Sequence, residues 1–164
     1  MRSHKIPKTF TLLLILGNLF FAPMALAESH TQEVCSPITE NDVAHLFDRW
    51  NNTLKSKNLD NILANYAHDA ILLPTLSNTP RVTPEERREY FVDFLKKNPV
   101  GHIDQRVIRM GCDWATDSGI YTFTLSSHDK TEQAKARYSY VYEYIDGKWL
   151  IIAHHSSLLP EAGE

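Results

Sequence analysis

The chain has 164 residues and a formal net charge of −3, from 17 basic and 20 acidic residues, and it contains only 2 cysteines. This length suits one domain with a single core and leaves little room for two. The sequence has no Lys/Arg-rich run, which disfavours nucleic acid as a partner.

The first 27 residues have the pattern of a cleavable secretory signal peptide. Arg2, Lys5 and Lys8 precede an apolar run over residues 10–21, and residues 25–27 read Ala-Leu-Ala, as at a signal peptidase site. The run is too short to span a bilayer, which needs about 20 apolar residues. We predict cleavage after residue 27, a periplasmic or secreted location, and no membrane association of the mature chain, whose 14 basic and 20 acidic residues leave a net charge of −6.

Residues 28–38 are mainly polar and are predicted to form an N-terminal arm before a domain at 39–161. The arm contains Cys35 and the domain contains Cys112, and neither belongs to a C-x-x-C pair of the kind found in zinc and redox sites. Because cysteines form lasting disulfides in an oxidising compartment, we predict a Cys35–Cys112 bond that ties the arm to the domain.

The first half of the domain has helical signals. Thr39 is a candidate N-cap, and apolar residues follow it at helical spacing from Val43 to Leu54, so a first helix is predicted there. A short second helix is predicted over residues 59–66, a short strand over 70–73 and a loop over 75–82. Thr83, Pro84 and Glu86 form a capping box with proline at the first helical position, which predicts a third helix that ends before Pro99.

The second half has strand periodicity. Four strands are predicted at about 102–112, 120–126, 134–145 and 148–156, and Asp146-Gly147 is typical of a two-residue hairpin turn between the last two. Helices followed by antiparallel strands indicate an α+β domain in which the helices pack on one face of a curved sheet.

Counting outward from this turn assigns the side chains to the two faces of the last hairpin. Tyr144 then lies opposite Trp149, Tyr142 opposite Ile151, Tyr140 opposite Ala153 and Tyr138 opposite His155, all on an aromatic inner face. Val141, Leu150 and Ile152 fall on the outer face, which the protomer's own helices cannot also cover. We therefore predict self-association into a dimer or larger closed ring through this outer face.

Several segments resemble a known family. Residues 144–152, followed by His155, resemble the last hairpin of the association (hub) domain of calcium/calmodulin-dependent protein kinase II. Residues 72–78 and 154–157 are similar to bacterial, kinase-free relatives of that domain. The resemblance implies a cone-shaped fold of the nuclear transport factor 2-like (SnoaL-like) superfamily, with helices inside a strongly curved antiparallel sheet, and it implies assembly.

The resemblance does not imply kinase activity. The sequence lacks a Gly-rich nucleotide loop, an H-R-D segment and a D-F-G segment, which excludes phosphoryl transfer of the protein-kinase type. The hub has an arginine-rich pocket for small carboxylates, and three of its arginine positions correspond here to Phe123, Tyr140 and Ser156. Any pocket in this chain is therefore expected to be more aromatic and less cationic.

A pocket is predicted at the open end of the cone, for a small aromatic or weakly anionic ligand. Its predicted lining consists of Tyr121, Phe123, Tyr138, Tyr140 and His155, with Arg109 as a possible source of positive charge. The main interpretation is a non-catalytic module for self-association and ligand binding. The alternative is a small acid–base enzyme that uses His155 as the base and Tyr140 as a hydrogen-bond donor.

Other polar residues have two interpretations each. The counted register places three polar residues on one face: Arg137, His154 and Ser156. They form either an anion-binding site or a polar contact between subunits. Arg81 either reaches over the cone mouth or is a solvated loop charge, and the second is preferred. His154 and His155 are adjacent on a strand and point to opposite faces, so they are interpreted as hydrogen-bonded histidines; no metal and no cofactor are predicted.

Overall fold

The computed structural model describes Cys35 and residues 37–75, 77–127 and 130–160. The predicted signal peptide and most of the predicted arm lie outside these ranges and stay predictions. None of the helices in the described ranges is long and apolar enough to cross a membrane.

In the described ranges three helices precede or interrupt the sheet: α1 (Glu40–Ser56), α2 (Leu59–Leu63) and α3 (Pro84–Leu95). Both predicted helix starts are confirmed. The Thr39 hydroxyl accepts a hydrogen bond from the backbone N–H of Asp42 at 3.2 Å, and the Asp42 carboxylate accepts one from the N–H of Thr39 at 2.9 Å. Thr83 and Glu86 make the same reciprocal pair at the start of α3, so four otherwise unpaired donors are satisfied.

The second helix is shorter than predicted. It ends at Leu63, because the Asn65 side-chain amide donates to the carbonyls of Asn61 and Ile62 at 2.9 and 3.1 Å and so satisfies the end of the helix. Tyr66, predicted to be helical, is instead the first residue of strand β1 (Tyr66–Leu73).

The sheet has the order β1-β5-β4-β3-β2, with β2 (Val100–Met110), β3 (Trp114–Ser127), β4 (Lys130–Ile145) and β5 (Lys148–Leu158). These four strands pair antiparallel with one another, whereas β1 runs parallel to β5. The predicted α+β class and curved sheet are thereby confirmed. The hairpin turn is confirmed too, with φ of 49° at Asp146 and 82° at Gly147.

Strand β3 begins six residues before its predicted start at residue 120. Residues 116–119 read Thr-Asp-Ser-Gly, which has the composition of a turn. In the structure Gly119 lies so close to β2 that a Cβ on it would come within 1.9 Å of the Gln105 carbonyl oxygen. The absence of a side chain at Gly119 therefore lets β3 approach β2 closely here. The strand pairing continues through this position, so Asp117 belongs to β3.

The predicted register of the last hairpin is wrong beyond Tyr142. Tyr142 pairs with Ile151 as counted, but Val141 pairs with Ala153, so Ile152 is an extra residue in β5. Such a β-bulge reverses the faces of all later residues in the bulged strand. Tyr140 consequently pairs with His154 and Tyr138 with Ser156, so His154 and Ser156 lie on the inner face.

A buried arginine attaches α3 to β1. The Arg87 side chain is 1% exposed, and its guanidinium donates to the carbonyls of Ala67 and His68 at 2.9 and 2.8 Å and to that of Ala70. The β1–β5 register shifts between Tyr66 and Ile71, so these carbonyls belong to a segment that the sheet itself does not pair regularly. Arg87 supplies the hydrogen-bond donors that these carbonyls do not obtain from β5.

The predicted disulfide is confirmed. Cys35 and Cys112 are bonded with a Cα–Cα distance of 4.6 Å and a sequence separation of 77. Cys112 lies between the end of β2 and the start of β3, so the bond attaches the segment before α1 to that connection.

Candidate ligand cavity

A cavity of about 660 Å³ lies between α3 and the inner face of the sheet. Its wall includes Trp50 from α1, Phe94 from α3, Tyr121 and Phe123 from β3, and His154 from β5. Three exposed acidic residues also line it, which places an opening to solvent there: Glu89, Asp93 and Glu132. The volume is within the range of cavities that enclose small organic molecules.

Aromatic rings form the apolar part of the wall. The Phe123 ring is edge-on to Trp50, Phe94 and Tyr121, with centroid distances of 6.3, 5.6 and 4.8 Å. Trp50 is also edge-on to the His154 imidazole, at 5.3 Å. These edge-to-face contacts fix the rings in the cavity wall.

A hydrogen-bond chain determines the protonation of His154. The Trp50 indole donates to the Tyr66 hydroxyl at 3.0 Å, and this hydroxyl lies 2.9 Å from His154 Nδ1. An indole N–H can only donate, so the Tyr66 oxygen accepts from Trp50 and its single proton is left for Nδ1. Nδ1 is then the acceptor, and we assign the proton of the neutral imidazole to Nε2.

The other ring nitrogen of His154 has no hydrogen-bond partner among the described residues, although its solvent exposure is negligible. The side chain is 5% exposed, and burial lowers the pKa of His154 from 6.5 to about 3. At neutral pH His154 is thus an uncharged N–H donor in the cavity wall.

Hydroxyl groups form a second polar cluster in the wall. The Tyr121 hydroxyl donates to Ser156 Oγ at 2.5 Å, and Ser156 is also hydrogen-bonded to the Thr75 hydroxyl. Burial raises the pKa of Tyr121, so its phenol stays protonated. Ser156 is two residues after His154 on β5 and faces the same side.

Arg81 reaches the cavity, so its preferred interpretation as a solvated loop charge is wrong. Its backbone pairs with Leu72 through hydrogen bonds of 3.0 and 2.9 Å, which direct both side chains to the inner face. The guanidinium donates to the Ser77 hydroxyl at 3.3 Å, and its buried Nε has no partner among the described residues. Glu86, the carboxylate on which Arg81 acts electrostatically, is already engaged in the α3 capping box.

Two predicted lining residues belong to the core. Tyr138 and Tyr140 are 2% and 0% exposed and do not line the cavity. The Tyr140 ring stacks on His154 at 4.2 Å, and the Tyr138 hydroxyl donates to Asp117 at 2.7 Å. The His154 ring thus covers a face of the Tyr140 ring, and Asp117 binds the Tyr138 hydroxyl, two neighbours that the hairpin count did not place there.

Three other predicted site residues lie elsewhere. His155 is exposed and faces outward because of the bulge at Ile152. Arg109 is exposed and pairs with Thr116, whereas the cavity is lined by the other half of β3. Arg137 is exposed and donates to the Leu158 carbonyl at 3.2 Å, so the bulge separates it from His154 and Ser156.

A buried charged cluster was missed by the sequence analysis. Asp117 is 0% exposed; it accepts a hydrogen bond from Arg106 Nε at 3.1 Å and is ion-paired with Arg106 Nη2 at 3.0 Å. Burial raises the pKa of Asp117, against the opposing effects of the Tyr138 hydroxyl and Arg106. Because both partners of Asp117 are in place and it does not line the cavity, the cluster is structural. In the described ranges no three His, Cys, Asp or Glu residues come together as a metal site.

Comparisons with known proteins agree with this fold. Residues 39–160 match the family model for the calcium/calmodulin dependent protein kinase II association domain. A Xanthomonas campestris structure described as such an association domain is 46% identical, with a TM-score of 0.74 over 77% of this chain and 91% of that one.

More distant solved structures share the fold alone. A nuclear transport factor 2-like protein from Pseudomonas putida is 16% identical, with a TM-score of 0.65 over 79% of this chain and 92% of that one. A ketosteroid isomerase-like protein from Erwinia carotovora atroseptica is 14% identical, with a TM-score of 0.58 over 72% and 94%. No curated protein matches the chain significantly.

Proposed function

The chain belongs to the calcium/calmodulin dependent protein kinase II association domain family, and on that premise we propose that it is an exported, non-catalytic module that self-associates and binds a small ligand. The observation that carries the proposal is the family match over residues 39–160, which includes all the described helices and strands. The Cys35–Cys112 bond supports export, because disulfides persist in oxidising compartments.

The outer face of the sheet supports self-association. Val141, Leu150 and Ile152 are only half-buried, and Leu73 at the end of β1 is 36% exposed. The buried residues of the helices and strands form one core cluster, and Leu150 and Ile152 are only partly buried where they pack against it. An apolar outer face of this kind is stabilised when a second subunit removes it from water.

The state of His154 supports binding rather than acid–base catalysis. A general base needs a free lone pair and a pKa near the working pH. Here Nδ1 is already hydrogen-bonded to the Tyr66 hydroxyl, and burial lowers the pKa of the imidazole to about 3. His155 and Tyr140, the alternative catalytic pair, lie on the outer face and in the core respectively.

Self-association is tested by multi-angle light scattering and native mass spectrometry of the purified protein at micromolar concentration. We expect a dimer or larger closed ring, and we expect Val141→Arg to shift it toward monomer because a charge then enters the apolar face. Val92→Arg is the matched control, since Val92 is 43% exposed on α3, on the other side of the sheet. A native monomer, or equal effects of the two variants, would contradict the proposal.

A further inference from the structure

The free edge of β2, the side of this strand that faces away from β3, is capped at one end by α1. β2 is the last strand in the sheet order, and among the described strands it pairs only with β3. The Asn51 side chain accepts a hydrogen bond from the backbone N–H of Gly101 at 2.9 Å and donates one to the Gly101 carbonyl at 2.8 Å. Asn51 thus makes the two hydrogen bonds that an added strand would make with Gly101.

The other end of β2 shows which backbone groups point toward the free edge. The N–H of Gly111 donates to the Trp114 carbonyl at 2.8 Å, so the Gly111 backbone is directed toward β3. Successive residues of an antiparallel strand alternate between its two sides, and the β2–β3 register is regular over residues 106–110. Three residues in this range therefore direct their N–H and C=O groups to the free edge: Arg106, Ile108 and Met110.

Arg109 closes this part of the edge. Its guanidinium donates to the Ile108 carbonyl at 2.9 Å, so an acceptor that an added strand would need is already occupied. The Arg109 side chain is exposed, and a second copy of β2 at this edge would bring its own arginine to the same contact. Arg106, by contrast, is ion-paired with Asp117 at 3.0 Å, which neutralises its charge.

A bulge interrupts the edge between the two caps. Ile103 and Gln105 pair with consecutive residues of β3, so Asp104 is an extra residue. A bulge disrupts the regular spacing of donors and acceptors that a neighbouring strand needs. Only the segment after the bulge, residues 106–110, is regular enough to pair, and it contains the β-branched residue Val107, which is 54% exposed.

We infer that Arg109 guards the free edge of β2 against antiparallel pairing with β2 of a second copy of this chain. Such a pair is two-fold symmetric, because residues 106–110 serve as the contact in both copies. If this contact formed in addition to the outer-face contact proposed above, it would join closed oligomers to one another. Arg109 therefore restricts self-association to the outer face, and only this last consequence rests on the proposed function.

Arg109→Thr tests the inference, because threonine suits a strand but has neither the charge nor the guanidinium of arginine. By multi-angle light scattering of the purified protein at micromolar concentration, we expect a mass at least about twofold larger than the native mass, since each β2–β2 pair joins two particles. Arg137→Thr is the matched control. Arg137 is also exposed and also donates to a backbone carbonyl, that of Leu158 at 3.2 Å, but it lies on β4, inside the sheet. An unchanged mass in Arg109→Thr, or an equal increase in Arg137→Thr, would overturn the inference.

Hydrogen exchange shows where the new contact forms. In Arg109→Thr we expect the backbone amides of residues 106–110 to exchange more slowly as the protein concentration rises, because they become hydrogen-bonded to a second copy. The same amides should show no such slowing in Arg137→Thr. A larger mass in Arg109→Thr without added protection of residues 106–110 would refute pairing at this edge.

The mass of the native protein separates this inference from the proposed function. A native monomer, with a larger particle in Arg109→Thr, refutes self-association through the outer face and supports the guarded edge. A native oligomer whose mass is the same in Arg109→Thr refutes the guarded edge and leaves self-association standing.

Discussion

Replacing Arg87 by methionine tests whether one buried side chain holds α3 against β1. Methionine keeps most of the apolar stem of the side chain but removes all of its donors. The change leaves the carbonyls of Ala67 and Ala70 without the guanidinium, and these two residues are 3% and 1% exposed. The His68 carbonyl also loses its donor, but His68 is exposed and water can replace the hydrogen bond.

The expected cost follows from these contacts. Each buried carbonyl that loses its partner costs about 1–3 kcal/mol, so the two carbonyls together cost about 2–6 kcal/mol. The variant also avoids the burial of a cation, whose cost is visible in the lowered pKa of Arg87. We therefore expect the free energy of unfolding to fall by about 2–4 kcal/mol.

Urea unfolding at constant pH, with the disulfide intact, measures this loss as a lower midpoint with an unchanged slope. Arg88→Met is the matched control on the same helix. Arg88 pairs with Asp60 at the surface, where the side chains are 46% and 78% exposed, so its loss should cost less than about 1 kcal/mol. If the two variants unfold within about 1 kcal/mol of each other, Arg87 does not have this structural role.

Three further predictions concern the histidine, the disulfide and export. The folded pKa of His154, about 3, lies below its unfolded value of 6.5, so the unfolded state binds the extra proton between them and acid destabilises the fold. Urea unfolding between pH 7 and pH 4 measures this loss of stability. The free energy of unfolding should fall more steeply with decreasing pH in the native protein than in His154→Gln, by up to about 1.4 kcal/mol per pH unit. The control variant His155→Gln should keep the native slope. Replacing Cys35 and Cys112 by serine should lower the free energy of unfolding by about 4 kcal/mol in the chain-entropy model, and a loss below about 1 kcal/mol would show that the bond constrains little. Mass spectrometry of the protein from its own host should find Glu28 as the N-terminus, and an intact soluble precursor would contradict export.

Local signals in the sequence were sufficient to predict the starts of the first and third helices and the hairpin turn. The capping boxes at Thr39 and Thr83 and the Asp146-Gly147 turn depend on neighbouring residues only, and all three are present in the structure. The resemblance at the last hairpin was likewise sufficient for the family and the fold. The candidate site depended on long-range register, and there the structure differs from the prediction at Tyr138, Tyr140 and His155, whereas Tyr121 and Phe123 line the cavity.

The missed residues had weak or misleading signals. A β-bulge has no reliable sequence signature, so nothing near Ile152 indicated that His154 would face the cavity. Asp117 lay outside the predicted strand because its neighbours have the composition of a turn. Arg87 did have a signal, since it precedes the buried Phe91 and Leu95 at spacings of four on the same helical stripe.

The extra residue in β5 also affects how relatives can be compared with this chain. When one residue is gained or lost before them, the side chains after Ile152 move from one face of the sheet to the other. In a relative that lacks the bulge, the residue aligned with His154 would face outward and the residue aligned with His155 would face the cavity. This would hold even if every later residue were identical. An insertion or deletion at this one position could therefore change the cavity lining and the outer surface of the sheet together, without any amino-acid substitution at either place.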